Sequence, residues 1–246
     1  MVKSPIFIVG NGRSGTHWLA RTLKSHPNIR ATIEYKPIFS IVTKMALDPP
    51  SQNRLYWKLV LRYMWEILKS YPNHYLDKSH PNIWLAERLK RTFSGALFVG
   101  IERDPYATIA SMILHDGVNT LHKRWREFPI PNKFLGIDKE NKDIYDNLPI
   151  AKNFALSWLS HHDRMNELRS VLGTSLKVIN YEHFAKEPQK IIEDLRKFLG
   201  LPTPLEIPKV KQESLNKWEN QLSSEQIRQI TKIVGFIPGE FEKEFS

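Results

Sequence analysis

A mostly parallel β-sheet flanked by helices on both faces is the α/β fold class that this sequence predicts, on three observations. Short apolar runs alternate with amphipathic stretches almost from end to end. One run, residues 96–101, is nearly unbroken and rich in bulky and β-branched side chains, which suits a strand buried on both faces of a parallel sheet. Another, Ile6-Phe7-Ile8-Val9, passes through a glycine-rich turn into a helical stretch.

The elements follow in order. After the first strand, Trp18, Leu19, Ala20 and Leu23 give an apolar face to a helix ending near His26-Pro27-Asn28. Ala31-Thr32-Ile33 is a short strand leading to Glu34. Leu55, Leu59, Tyr63 and Ile67 recur at helical spacing within 53–71, a stripe that belongs to the core. Tyr75-Leu76-Asp77 reads as a brief strand and 82–92 as a helix. Asp104-Pro105 opens a helix that runs to about His115, proline being suited to the first turn.

Residues 116–149 are polar, interrupted by Pro129, Pro131 and Pro149, and show no sustained period. A segment of that length predicts a functional loop or lid, at about 116–150. Helix returns over 151–172 with Phe154, Trp158 and Met165 inward, and 176–180 is a further strand. A helix over 191–199 is closed by Gly200 with Pro202 beyond, and 223–234 is a last helix capped by Ser223 or Ser224. One domain spanning 1–246 accounts for this pattern without repeats or linkers.

Composition narrows the function. The 36 Lys and Arg against 26 Asp and Glu give +10, which favours anionic ligands. The basic residues are scattered, as at Arg88, Lys90, Arg91 and Lys123, Arg124, Arg126, so no nucleic-acid partner is expected. With no cysteine, disulfides, thiolate metal sites and a cysteine nucleophile are excluded. No apolar run approaches the roughly 18 residues of a spanning helix, and the chain reads as soluble and cytoplasmic.

The chemistry starts at Gly10-Asn11-Gly12-Arg13-Ser14-Gly15-Thr16-His17. Its glycines let the backbone turn its N–H groups towards an anion, which the start of the following helix also favours. The spacing from Gly10 to Gly15 fits G-x-x-x-x-G, but Thr16 and His17 stand where a nucleoside triphosphatase has Lys and then Ser or Thr. The fixed positive charge is instead Arg13. A second anion-binding candidate pairs Arg103, leaving the 96–101 strand, with Ser111 two helical turns on. Taken singly, the loop has a lesser reading as only a tight connection, and Arg103 reads equally as a strand-end ion pair.

Taken together, the motifs resemble a family. G-x-x-R-S-G-T-x-W-L after an apolar strand resembles the 5′-phosphosulfate loop of sulfotransferases that use 3′-phosphoadenosine 5′-phosphosulfate (PAPS). Arg103-Asp104-Pro105 followed by Ser111 resembles their 3′-phosphate motif. Tyr181-Glu182-His183-Phe184, with a helix ending Phe198-Leu199-Gly200-Leu201-Pro202, is similar to their late segment, and Lys217-Trp218 to the late basic residue that closes over the cofactor. The resemblance runs from about Pro5 to Trp218, leaving the middle and the lid unmatched.

This resemblance implies a three-layer fold of the P-loop-containing nucleotide hydrolase type, as one sulfotransferase domain. It implies metal-independent transfer of SO3 from PAPS to an acceptor hydroxyl or amine, leaving adenosine 3′,5′-bisphosphate. Gly12, Arg13, Ser14, Gly15, Thr16, His17, Arg103, Ser111, Tyr181 and Lys217 would hold the cofactor; His17 departs from the threonine of many relatives. Arg13 and Lys78 would face the leaving oxygen. The base would be Glu34, resembling the acid of tyrosylprotein, carbohydrate and many bacterial sulfotransferases, which is preferred, or His80, resembling the histidine of cytosolic small-molecule enzymes. The acceptor would be a small molecule, carbohydrate, lipid or peptide. A divergent P-loop nucleotide kinase and a non-enzymatic basic adaptor for polyanions or nucleic acid are the other readings.

Overall fold

Five strands, β1 (Ile6–Gly10), β2 (Ile29–Ile33), β3 (His74–Lys78), β4 (Leu97–Glu102) and β5 (Leu176–Asn180), pair in parallel in the order β2-β3-β1-β4-β5. This is the arrangement in a computed structural model, which describes residues 3–207, 209 and 213–245. Register pairs Ile8 with Lys78 on one side and Gly10 with Ile101 on the other. The carboxyl ends of β3, β1 and β4 therefore emerge side by side, where the strand order reverses and ligands bind in open sheets of this kind.

Alternation along β1 explains the two covered faces. Phe7 and Val9 pack with Phe98, Tyr75 and the inward stripe of α3 (Gln52–Ser70), Leu59 and Tyr63 among it. Ile6 and Ile8 pack on the other face with Leu76 and Val99, against Leu19 and Leu23 of α1 (Thr16–Lys24) and the apolar face of α9 (Pro188–Leu199). These side chains are wholly buried, and each contributes about 1.5–3 kcal/mol of transfer free energy. A third cluster joins α5 (Pro105–Ile113), α7 (Ile150–Leu172) and α11 (Ser224–Val234) through Tyr106, Phe154, Trp158 and Ile230.

End signals hold where they were read. The Asp104 side chain accepts the amide of Ala107 at 2.9 Å at the start of α5. Ser223 and Gln226 form a reciprocal capping box on α11, and Gly200 closes α9 at φ 63.

The structure also corrects the reading. Residues 36–47, left unassigned, form α2 (Lys36–Leu47), with Ile38, Val42 and Met45 buried. The helix expected over 82–92 starts as a tight turn at His80–Trp84, and α4 proper is Ala86–Thr92. Tyr181 opens a short helix, α8 (Tyr181–Lys186), and α10 (Glu213–Asn216) precedes Lys217. The stretch after α5 is no open loop: it contains α6 (Asp116–Lys123) and buries Phe134, Leu135, Ile137 and Tyr145 against Ala46 and Leu47. A helix that short shows too few turns for periodicity to register.

Candidate active site

The glycine-rich loop leaves the central strand under tight steric control. At Gly10 (φ 155) a Cβ would lie 2.6 Å from the Ile101 carbonyl oxygen, and at Gly15 (φ 91) one would lie 2.7 Å from Cε2 of the Tyr181 ring. Arg13 itself is left-handed at φ 70, unusual for a residue with a side chain. The loop ends at the start of α1, which has no acidic residue in its first turn and no side-chain cap, so its leading amides remain open to an anion. Asn11 Nδ2 and Ser14 Oγ, in the loop, are buried without a hydrogen-bond partner.

Arg13 ties this loop to the second motif. Its Nε donates to Ser111 Oγ at 3.1 Å, and Arg103 Nη1 donates to the Arg13 carbonyl at 3.4 Å. Arg103 Nη2 donates to the Ser214 carbonyl at 2.7 Å, and the guanidinium lies over the Tyr181 ring, 4.3 Å from its centroid. Glu182 Oε1 stands 3.9 Å from Arg103 Nε. Burial, and then the nearby Asp104 carboxylate, push the Glu182 carboxyl up to about 7. Arg13, Arg103, Ser111, Lys217 and Trp218 line one cavity of about 320 Å³. Residues from both motifs and from the late segment thus meet at one cavity.

Beside that cavity lies a larger one of about 380 Å³, and Arg13 lines both. At its inner end is Glu34, just past β2 in a left-handed conformation at φ 48. Its carboxylate takes the Lys78 ammonium and lies 3.2 Å from His17 Nε2 and 3.4 Å from His80 Nδ1. Lys78 is 1% exposed, so its charge is held in the protein by this one carboxylate partner and by Asp77 behind it. Burial alone would raise Glu34, but its bonds to His17, His80 and Lys78 outweigh it and hold the carboxyl well below the usual range. Burial draws Lys78 down, against the pull of Glu34, and draws His80 to about 4, so that His80 is neutral at pH 7.

Away from the carboxylate this cavity turns apolar. Phe39 and Thr43 of α2, Leu121 and His122 of α6, Phe134, and His161 of α7 form its walls. Burial holds His122 at about 3 and His161 at about 4, so both imidazoles are uncharged at neutral pH. Of these wall residues the sequence points only to Phe134, an aromatic of the 116–150 stretch that could close over an acceptor. His161 was detectable as a polar residue on the helix over 151–172, but nothing local linked it or His122 to Glu34. Among the described residues no group of three or more His, Asp or Glu is placed to hold a metal ion.

The sequence pattern described as "Sulfotransferase family" matches residues 5–205. This chain belongs to the sulfotransferase family. The match contains Arg13, Glu34, Lys78, His80, Arg103, Ser111 and Tyr181, whereas Lys217 lies beyond it. Solved sulfotransferases share the fold. The sulfotransferase domain from the curacin biosynthetic pathway aligns with 96% of this chain and 99% of its own, at TM-score 0.60 and 15% identity. A sulfotransferase from Alicyclobacillus acidocaldarius aligns over 98% and 100% of the two chains, at 0.57 and 15% identity. Mouse sulfotransferase SULT7A1, complexed with PAP, aligns over 99% and 89%, at 0.55 and 17% identity. A curated relative, an uncharacterized protein of Aquifex aeolicus (strain VF5), is 23% identical over 216 residues. That alignment takes in 81% of this chain and 26% of the relative, so the chain spans about a quarter of the relative's length.

Proposed function

We propose that this sulfotransferase moves the sulfuryl group of PAPS to an acceptor hydroxyl or amine, with Glu34 as the general base. The observation that carries this reading is Arg13, one guanidinium lining two cavities, with a carboxylate–lysine–imidazole cluster in the first and Arg103, Ser111 and Lys217 in the second. A ligand with two separate anionic ends suits that division. The donors fit it: open amides at the loop, the unpartnered Ser14 Oγ, and two arginines. When bound, PAPS supplies an activated sulfuryl group on a phosphate leaving group.

Each residue then has a task. The amides of Ser14, Gly15 and Thr16 hold the 5′ end, while Arg103 and Ser111 hold the 3′-phosphate, with Tyr181 supporting the Arg103 plane and Lys217 at the cavity wall. Gly12 leaves room beside His80, whose Nε2 would lie 3.4 Å from a Cβ there. Arg13 and Lys78 offset negative charge growing on the leaving oxygen, where preorganised donors are typically worth a factor of about 100–1,000. Glu34 accepts the acceptor's proton as the acceptor oxygen or nitrogen bonds to sulfur and the bond from sulfur to the 5′-phosphate oxygen breaks. The electron pair of that bond stays on adenosine 3′,5′-bisphosphate.

Lys78 links the two halves of the step. As its ammonium turns towards the leaving oxygen, Glu34 loses its strongest counter-charge and gains basicity. His80, in the same cavity, is the competing base. The apolar wall formed with residues 116–150 receives the acceptor. The presence of Glu34 and His80 in the same cavity as Arg13 supports an enzyme over a basic adaptor.

Calorimetry with adenosine 3′,5′-bisphosphate and with ATP-magnesium, followed by radiolabelled sulfate transfer from PAPS to a panel of phenols, sugars, lipids and peptides, tests this reading. Binding of the bisphosphate without magnesium, and transfer to at least one acceptor class, are expected. Binding of ATP-magnesium alone would replace it with the kinase reading.

A further inference from the structure

Helix α3 turns one face to the core and leaves another, apolar and basic, in solvent. Tyr56, Leu59, Val60, Tyr63 and Ile67 are buried, as its periodicity requires. On the outside, Trp57 (65% exposed), Leu61 (66%), Met64, Trp65 and Leu68 follow one another at helical spacing, and the exposed Tyr71 extends the row past the helix end. At 100° per residue these five helical side chains fall within about a third of the helix circumference. Scattered exposed apolar residues are ordinary; a row of five large ones on a single helix is not.

Charge identifies what covers it. Arg54, Lys58, Arg62 and Lys69 are exposed on the same helix, and none of them is in an ion pair among the described residues. The helix's one acid, Glu66, is buried and bound to Arg30 at 2.7 Å, so the outward face carries cations and no carboxylate. Lys69 lies over the Trp65 ring, 4.8 Å from its centroid, placing ammonium and indole at one level. Two such faces brought together would set cation against cation with no acid to pair them, which disfavours a second copy of the chain. An acidic, apolar, laterally extended surface meets both demands.

We propose that the outer face of α3 docks on an anionic lipid bilayer. The helix would lie in the plane of the interface, with Trp57, Leu61, Trp65 and Leu68 entering the headgroup and acyl boundary and the cations at phosphate level. The overall charge of +10 assists the approach. This surface is separate from the cavities around Arg13, so the inference stands or falls independently of sulfuryl transfer.

Co-sedimentation of the whole protein with phosphatidylcholine vesicles, with and without phosphatidylserine as about a third of the lipid, tests it. Binding to the anionic vesicles only, falling with added salt, is expected. The double substitution Leu61→Glu with Trp65→Glu should lower partitioning roughly tenfold or more, and Arg62→Gln and Lys69→Gln should each lower it roughly fivefold. All four positions are exposed, and circular dichroism should show unchanged folding. Wild-type protein remaining in the supernatant would overturn the proposal. So would vesicle binding indifferent to these substitutions, or sedimentation equilibrium showing a dimer that Leu61→Glu converts to monomer.

Discussion

Arg13 and Ser111, 98 positions apart in sequence, meet at 3.1 Å through Nε and Oγ. The loop after the central strand and the helix after its neighbour are thereby joined before any ligand arrives. Arg13→Ala and Arg103→Ala should each weaken adenosine 3′,5′-bisphosphate binding by roughly 10- to 100-fold, the worth of a charge-assisted hydrogen bond. Ser111→Ala should cost less, and Arg13→Lys should not restore full affinity, because lysine lacks the planar fork that reaches Ser111 and a ligand together. Calorimetry reads all four; unchanged affinity in Arg13→Ala would remove the nucleotide site from this loop.

Glu34→Gln separates chemistry from binding. Turnover should fall by roughly 100- to 10,000-fold, as for loss of a general base, while bisphosphate affinity stays close to wild type. His80→Asn should have a much smaller effect. If the losses come out the other way round, His80 is the base and Glu34 serves to position Lys78.

Three buried imidazoles give stability a specific pH dependence. His80, His122 and His161 are held at about 4, 3 and 4, against about 6.5 in the unfolded chain. Between those limits the unfolded state binds more protons, so this contribution is complete above about pH 6.5 and is lost as pH falls through the window. Asp77 and Asp104, raised by burial to about 6, and Glu182, at about 7, oppose it, since the folded state protonates them first on acidification. The net slope is therefore shallow, and single histidines must be read by difference. The stability of wild type relative to His122→Phe should fall by about 1.4 kcal/mol per pH unit from pH 6 to 4. Urea unfolding measures it, and a difference constant with pH would refute the assignment.

Gly15→Ala introduces a left-handed alanine and a methyl group against the Tyr181 ring. The backbone alone costs about 1–2 kcal/mol, and the overlap adds to it. The melting temperature should drop by several degrees and bisphosphate binding should fail. Adding Tyr181→Ala removes the overlap but not the backbone cost, so the double variant should recover part of the stability. A double variant no more stable than Gly15→Ala would show that the ring is not what restricts the position.

What the sequence disclosed follows the range of its signals. Each strand was found to within about two residues, because short apolar runs between turn residues are local signals. The long helices α3 and α7 were found because several turns repeat one pattern. Helix α2 was missed although Ile38, Val42 and Met45 carry its spacing, and α6 and α8 are too short to carry any. At the site, the two arginine motifs were readable as motifs, but not that Arg13 touches Ser111, nor that Lys78 rather than the adjacent Lys36 pairs with Glu34. Those contacts depend on strand order, which places β3 between β2 and β1. The walls given by Phe39, His122 and His161 depend on packing between helices, and nothing local tied them to Glu34.

The cavity around Arg103 is assembled from chain segments that leave the ribosome at very different times. Arg13 is made first, Ser111 about 100 residues later, and Ser214, Lys217 and Trp218 about 100 residues after that. A growing chain therefore carries its glycine-rich loop through about 200 residues of synthesis before the segment that closes the cavity on the far side is made. A ligand that spans this cavity, such as the proposed nucleotide, gains its full set of contacts only after the segment around Ser214 and Lys217 has emerged and docked. Until then the sheet must be held by its own packing.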